Sequence, residues 1–178
     1  AVLFSAQLMV HDFGMRASSV PEESELLGRA HLLVFPGTDT FSAAYQAWKQ
    51  NGKQKVGGSI VAAAHRTIQG AVSEEAGFQA VRKAAGEGGI GSYVADCYDF
   101  EIAVRDMLAP MAVHASRTDH AVVVARPDSG DDISDVLYIT KTAVASGLSI
   151  QQPNGRHAMT NLRFIQGNSM NYKKMSEI

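Results

Sequence analysis

Ala121-Val122-Val123-Val124-Ala125-Arg126-Pro127-Asp128-Ser129-Gly130 is an unbroken apolar run that ends in a charge, a rigid turn and a second charge. A strand with one face in water alternates apolar and polar side chains. A short run without alternation fits a strand covered on both faces, as in a parallel sheet flanked by helices. Working outward, similar runs lie at 7–10, 31–35, 58–62, 91–95 and 162–165, so six strands are expected with helical stretches between them.

The helices carry their own punctuation. The segment 40–51 closes at Gly52, and 73–86 spaces Phe78, Val81 and Ala85 at helical intervals. Residues 132–146 place Ile133, Val136, Leu137, Thr140 and Val144 on one face and stop at Gly147. Pro21 followed by Glu22 and Glu23 opens another helix, because the fixed φ and an acidic first turn both suit a helix N-terminus. Pro153, Asn154 and Gly155 make 151–159 an expected exposed loop before the last strand.

Repeated strand-helix units predict an α/β fold with a parallel sheet. No G-x-G-x-x-G follows the first strand, and polar motifs follow nearly every strand rather than one, which favours a parallel βα-barrel-like core. Six strands are too few to close eight, so the expectation is an incomplete TIM-type barrel of about six βα units. Residues 1–178 read as one domain. The start at Ala1 without Met, and an unfinished helix over 171–178, read as a piece of a longer enzyme.

Composition narrows the partners. The chain has 178 residues, is 46% hydrophobic and carries a net charge of -2 without a Lys/Arg block, so no nucleic acid and no anionic membrane is expected as partner. Cys97 is the single cysteine and requires no oxidising compartment. No apolar run approaches the roughly 20 residues of a spanning helix. A cytoplasmic location is the natural reading.

In parallel α/β folds the loops at the carboxyl ends of the strands hold the site. Those loops read His11-Asp12-Phe13-Gly14-Met15-Arg16, Gly37-Thr38-Asp39-Thr40, Ala64-His65-Arg66-Thr67, Asp96-Cys97-Tyr98-Asp99, Arg126-Pro127-Asp128-Ser129-Gly130 and Gln166-Gly167-Asn168-Ser169. Taken singly each has an ordinary explanation. Asp39 equally suits a helix N-cap, Asp128-Ser129-Gly130 a turn, and His65 a hydrogen-bonded structural group. Cys97 reads as a small buried hydrophobe, and His114, His120 and His157 as structural. Together, Asp12, Asp39, Asp96 and Asp128 on one face with Arg16, Arg66, Arg126 and His65 expect a divalent cation, an arginine-bound phosphate, or both. Mg²⁺ with a phosphorylated sugar satisfies that pattern, and Phe13 beside Arg16 suits stacking on a flat ring.

Taken in order, these motifs resemble those of the nicotinamide phosphoribosyltransferases, of the type II phosphoribosyltransferase family. His11-Asp12-Phe13-Gly14 with Arg16, Phe35-Pro36-Gly37-Thr38-Asp39-Thr40 and Arg126-Pro127-Asp128-Ser129-Gly130 carry the likeness. The resemblance implies a pentosyltransferase of NAD salvage that joins nicotinamide to phosphoribosyl pyrophosphate with Mg²⁺. It also implies ATP as an activating co-substrate, and a homodimer whose active site lies at the subunit interface.

Residue by residue, the resemblance implies that Phe13 stacks on the pyridine ring and Arg16 lies beside the ring and the phosphate. Asp39 would accept from the carboxamide, and Ser92 would line the base tunnel. His65 would be phosphorylated by ATP with Asp96 orienting it. Arg126 and Asp128 would hold the ribose and pyrophosphate, with Asp96 and Asp128 near Mg²⁺, and Gly167 and Asn168 would meet the nucleotide product. Two positions depart from the pattern. Ala64 stands where the family has an acidic residue, and Gly167-Asn168-Ser169 stands where it has Gly-Asp-Gly. The family's second ring-stacking aromatic and its glycine-rich phosphate loop have no counterpart here. A nicotinate phosphoribosyltransferase and a noncatalytic binding or assembly fragment are the competing readings.

Overall fold

β4 (Ile90–Val94) and β5 (Val122–Arg126) pair in parallel over their full length, from Ile90 opposite Val122 to Val94 opposite Arg126. The computed structural model describes residues 10–167 and 170–177. Contacts divide the chain into two units, Ala1–Ser59 and Ile60–Ile178.

In the first unit, β1 (His11–Asp12) lies parallel to β2 (Gly37–Thr38), with His11 opposite Gly37 and Asp12 opposite Thr38. A 3-10 turn, Gly14–Ala17, leads from β1 toward α1 (Pro21–Leu32), which begins at its proline with Glu22 and Glu23 in the first turn, as the sequence predicts. α2 (Phe41–Gln50) comes after β2. Gly52 then turns the chain at φ +62, a left-handed conformation that costs a glycine little.

The strand expected at 31–35 does not form. His31 and Leu32 are the last residues of α1, Leu33 stays αR, and the N–H groups of Val34 and Phe35 both donate to the His31 carbonyl at 3.0 and 2.9 Å. The four apolar residues after His31 carry no readable period, and nothing stops the helix begun at Pro21 until Pro36 disfavours α geometry in the residue before it. The strand forms only after that proline.

The second unit holds β3 (Val61–Ala62), α3 (His65–Gln69), α4 (Glu74–Ala85) and β4. After β4 come α5 (Phe100–Ile102), a π-helical segment Ala103–Leu108 and α6 (Ala109–Thr118). β5 and α7 (Asp132–Ala145) lead to β6 (Ser149–Gln151), β7 (His157–Met159), β8 (Leu162–Phe164) and α8 (Tyr172–Glu177). β3, β4, β5 and β8 form one sheet in that order, every neighbouring pair parallel. The strand order therefore advances without the reversal of a doubly wound sheet. Among the described residues these strands make an open sheet of four, not a closed barrel.

Burial explains the unalternating runs. Tyr93, Val94, Val123 and Ala125 are fully buried, with Phe78, Leu108, Ile139 and Leu162 packed in the same core. Phe78 meets Tyr93 edge-on, the ring centroids 5.8 Å apart, a geometry aromatic quadrupoles favour. The caps agree with the sequence. Ser73 Oγ accepts from the Ala76 N–H, Asp131 accepts from the N–H groups of Ile133 and Ser134, and Gly86 and Gly147 end α4 and α7 at φ +77 and +71.

One feature departs from expectation. Residues 151–159, expected as a loop, contribute strands to an antiparallel hairpin in which Ser149 faces Met159 and Gln151 faces His157. Only the Pro153-Asn154-Gly155 stretch is the turn. From Phe100 to Thr118 the chain runs through α5, the π-helical segment and α6, with Pro110 in the first turn of α6. Proline lacks the N–H that a regular turn would donate, and the segment ahead of it is the π-helical one. No helix among the described residues is long and apolar enough to cross a membrane.

Candidate functional site

Because β3, β4 and β5 are adjacent and parallel, the loops at their carboxyl ends emerge at the same edge of the sheet. His65 lies three residues past β3, Asp96 two past β4, Arg126 is the last residue of β5, and Asp128 lies two beyond it. Sequence reasoning chose these four, and the second unit brings them together. His65 Nε2 is 2.9 Å from Asp96 Oδ1, His65 Nδ1 is 4.0 Å from Asp128 Oδ2, and Arg126 Nη2 is 3.8 Å from that same oxygen.

A carboxylate only accepts, so Nε2 is the donor in the His65–Asp96 bond, and Nδ1 lies on the side of Asp128. Asp96 is the hub. Its Oδ2 accepts from Ser129 Oγ at 2.5 Å and from the Asp128 N–H at 3.3 Å. Burial alone would raise the Asp96 carboxyl, but the hydrogen bonds from Ser129 and His65 outweigh it and hold the group below its ordinary range. Among the described residues the buried Arg126 Nε finds no hydrogen-bond partner, and Ser92 Oγ, within β4, is buried in the same condition. Buried donors rarely go unsatisfied, so both suit a ligand's acceptor. Gly167 lies beyond β8 with its N–H bonded to Gln166 Oε1 at 2.8 Å. Asn168 lies outside the described residues.

Burial pushes the Cys97 thiol up to about 11, and Glu74 and Asp96 add to the shift, so a thiolate is disfavoured and the residue packs against the core as expected. His157 is taken by Ser149, its Nδ1 3.0 Å from the hydroxyl.

The first unit holds a second constellation. Asp39 does not cap α2: Thr40 occupies that position, and Asp39 Oδ2 instead sits 3.1 Å from His11 Nε2. The ring of Phe13 lies against that of His11, centroids 4.8 Å apart. Asp12, grouped with the site acids in the sequence, faces its own backbone. It accepts from the Gly14 N–H at 2.7 Å and from Thr38 Oγ1 at 3.4 Å, which shapes the turn carrying Phe13. Arg16 and Arg66 are exposed. Sequence reading quoted His11 and Ser129 within motifs but gave neither a role; their position beside a strand end was the available signal.

Among the described residues no three His, Cys, Asp or Glu side chains form a group able to hold a metal ion. Asp96 meets three donors and keeps an acceptor position, and Asp128 lies beside it, so both carboxylates are able to offer an oxygen. One carboxylate suffices for Mg²⁺ when substrate phosphates supply further ligands.

The model of the nicotinate phosphoribosyltransferase (NAPRTase) family matches residues 8–178. Among curated proteins, a nicotinamide phosphoribosyltransferase of Xanthomonas campestris pv. campestris (strain 8004) is 33% identical over 174 residues, covering 95% of this chain. The chain spans 37% of the length of that relative.

Proposed function

The chain belongs to the nicotinate phosphoribosyltransferase family, and from that premise we propose that it carries part of the catalytic machinery of a phosphoribosyltransferase forming nicotinamide mononucleotide. The substrates are nicotinamide and phosphoribosyl pyrophosphate, and the sheet of parallel strands in sequence order is part of a βα barrel. One observation carries the reading. Arg126, with a buried Nε unpartnered among the described residues, stands at the strand edge beside Asp128, His65 and Asp96, an arrangement suited to binding an oxyanion next to a nucleophilic nitrogen.

In the transfer, the pyridine nitrogen forms the bond to the anomeric carbon as the carbon–oxygen bond to pyrophosphate breaks. The sugar gains positive charge in the transition state, and the departing pyrophosphate takes the electron pair. Positioning and charge neutralisation are the levers, and no protein nucleophile attacks the sugar. In the second unit, Arg126 and Asp128 hold the ribose and pyrophosphate, while Ser92, Gly167 and Asn168 meet the substrate or product. Asp96 and Asp128 would hold Mg²⁺, which would supply neutralisation of the charge on the leaving group. In the first unit, Phe13 stacks on the ring, Arg16 lies beside the ring and its phosphate, and Asp39 accepts from the carboxamide.

His65 takes the γ-phosphoryl group of ATP. Asp96 holds the proton on Nε2, so Nδ1 is the attacking atom: its lone pair forms the N–P bond and ADP leaves with the electrons of the broken P–O bond. The phosphorylated ring then binds phosphoribosyl pyrophosphate more tightly. The protein works as a cytoplasmic homodimer with its active site at the subunit interface.

The test is formation of nicotinamide mononucleotide by the intact protein from nicotinamide, phosphoribosyl pyrophosphate and Mg²⁺, with and without ATP. Product that rises with ATP supports the reading; no product, where a control enzyme makes it, overturns it. The family's own description favours nicotinate as a second reading. Asp39→Asn separates the two, because a carboxylate repels nicotinate and its removal should lower amide selectivity.

A further inference from the structure

We infer that His11 is a positioning residue for base recognition: it commits one oxygen of Asp39 and so leaves the other to read the carboxamide. The inference rests on the role proposed for Asp39.

His11 sits opposite Gly37 in the β1–β2 pair, and a Cβ on Gly37 would lie 2.5 Å from His11 Nδ1. Glycine at this position lets the imidazole lie across β2 and reach Asp39 two residues on. A carboxylate only accepts, so Nε2 is the donor in the 3.1 Å bond to Asp39 Oδ2. The two side chains differ in exposure, 16% for His11 and 41% for Asp39, so a largely buried ring anchors an acid that reaches outward. The Asp39 backbone is fixed as well, its N–H donating to the Asp12 carbonyl at 2.8 Å. Phe13 rests against the same imidazole, 4.8 Å between centroids. The residue proposed to stack on the base and the residue proposed to read its amide are thus indexed to one ring.

This has two effects on recognition. With Oδ2 taken, Oδ1 is, among the described residues, the oxygen left to accept from the amide N–H₂, which sets the angle at which the amide must approach. Holding the carboxylate in place also aims it at the base, where it would repel a second carboxylate.

The experiment measures kcat and KM for nicotinamide and for nicotinate in the intact protein, in His11→Leu, His11→Gln and Asp39→Asn. Losing a hydrogen bond to a charged group should lower the amide-over-acid ratio about tenfold or more in His11→Leu, chiefly through KM for nicotinamide. His11→Gln, which keeps an N–H donor at similar reach, should recover most of it. If His11→Leu lowers kcat/KM for both bases equally, or His11→Gln behaves as His11→Leu does, the residue is merely structural and the inference fails. If Asp39→Asn lowers the ratio while His11→Leu does not, the inference fails alone. An Asp39→Asn ratio equal to that of the parent overturns the role of Asp39, and the inference with it.

Discussion

Asp96 touches His65 through one carboxylate oxygen and the β5 loop through the other, with His65 Nε2 at 2.9 Å from Oδ1 and Ser129 Oγ at 2.5 Å from Oδ2. That division predicts the behaviour of Asp96→Asn. The Asn carbonyl belongs at the Oδ2 position, where two donors, Ser129 O–H and the Asp128 N–H, require an acceptor. The amide N–H₂ is then left facing His65 Nε2, which must accept, and the ring proton moves to Nδ1. A histidine protonated on Nδ1 has no lone pair there for phosphorus. Phosphohistidine formation should fall about 10³-fold or more, the scale of a wrong tautomer elsewhere, with the fold intact. Acid-labile phosphate on the protein is the readout, and an undiminished level in Asp96→Asn would overturn the assignment of Nδ1.

Ser92→Ala should separate binding from stability. Its hydroxyl is buried in β4 without a partner among the described residues, a condition that costs about 1–3 kcal/mol per group in a folded protein. Replacement by alanine should leave the melting temperature unchanged or raise it, while KM for a substrate rises. A melting temperature several degrees lower would mean that the hydroxyl supports the fold, and its place among substrate-binding residues would be lost.

How legible these features were depends on what fixes them. β4 and β5 could be read because burial on both faces leaves a nearly unalternating run, and the edge where His65, Asp96, Arg126 and Asp128 meet results from parallel pairing. Caps were legible too, since Ser73 and Gly86 act within a turn of themselves. The segment at 31–35 was not, because four apolar residues after a histidine suit a helix end as well as a strand. The hairpin β6–β7 was hidden by a turn sequence that names the reversal but not the length of its arms. The pairings His11–Asp39 and Ser129–Asp96 join residues 28 and 33 apart, and register and rotamer decide them.

Acid should loosen the second unit through Asp119. Burial alone would raise this carboxyl, but hydrogen bonds from Arg82 and from the N–H groups of Ala121 and Gly88 outweigh it and bring it from 3.8 to about 2. A depressed native value means that the unfolded chain takes the proton first. The stabilisation is therefore complete above the unfolded value and lost as pH falls through the folded one, between about pH 4 and pH 2. Asp119→Asn should flatten the fall of urea-measured stability across that window. A slope as steep as the parent's would remove Asp119 from the account.

Gly28→Ala tests how the first unit seats its turn. In an isolated helix the change would stabilise, by about 0.5–1 kcal/mol. In α1 the new Cβ would lie 2.5 Å from the Ala43 Cβ of α2, 3.0 Å from Asp12 Oδ2 and 3.2 Å from Thr40 Cγ2. The nearest atom is held rigidly to backbone, so the helices must separate, and overpacking of this kind costs about 1–3 kcal/mol. Asp12 is pressed at the same time, and it is the acceptor that holds the Gly14 N–H and hence the turn bearing Phe13. The variant should therefore lose stability despite its better helix propensity. Ala43→Gly added to it removes the obstructing atom, so the two changes should couple favourably in a double-mutant cycle. Strictly additive effects would show that the clash is relieved elsewhere and that α1 and α2 do not owe their approach to Gly28.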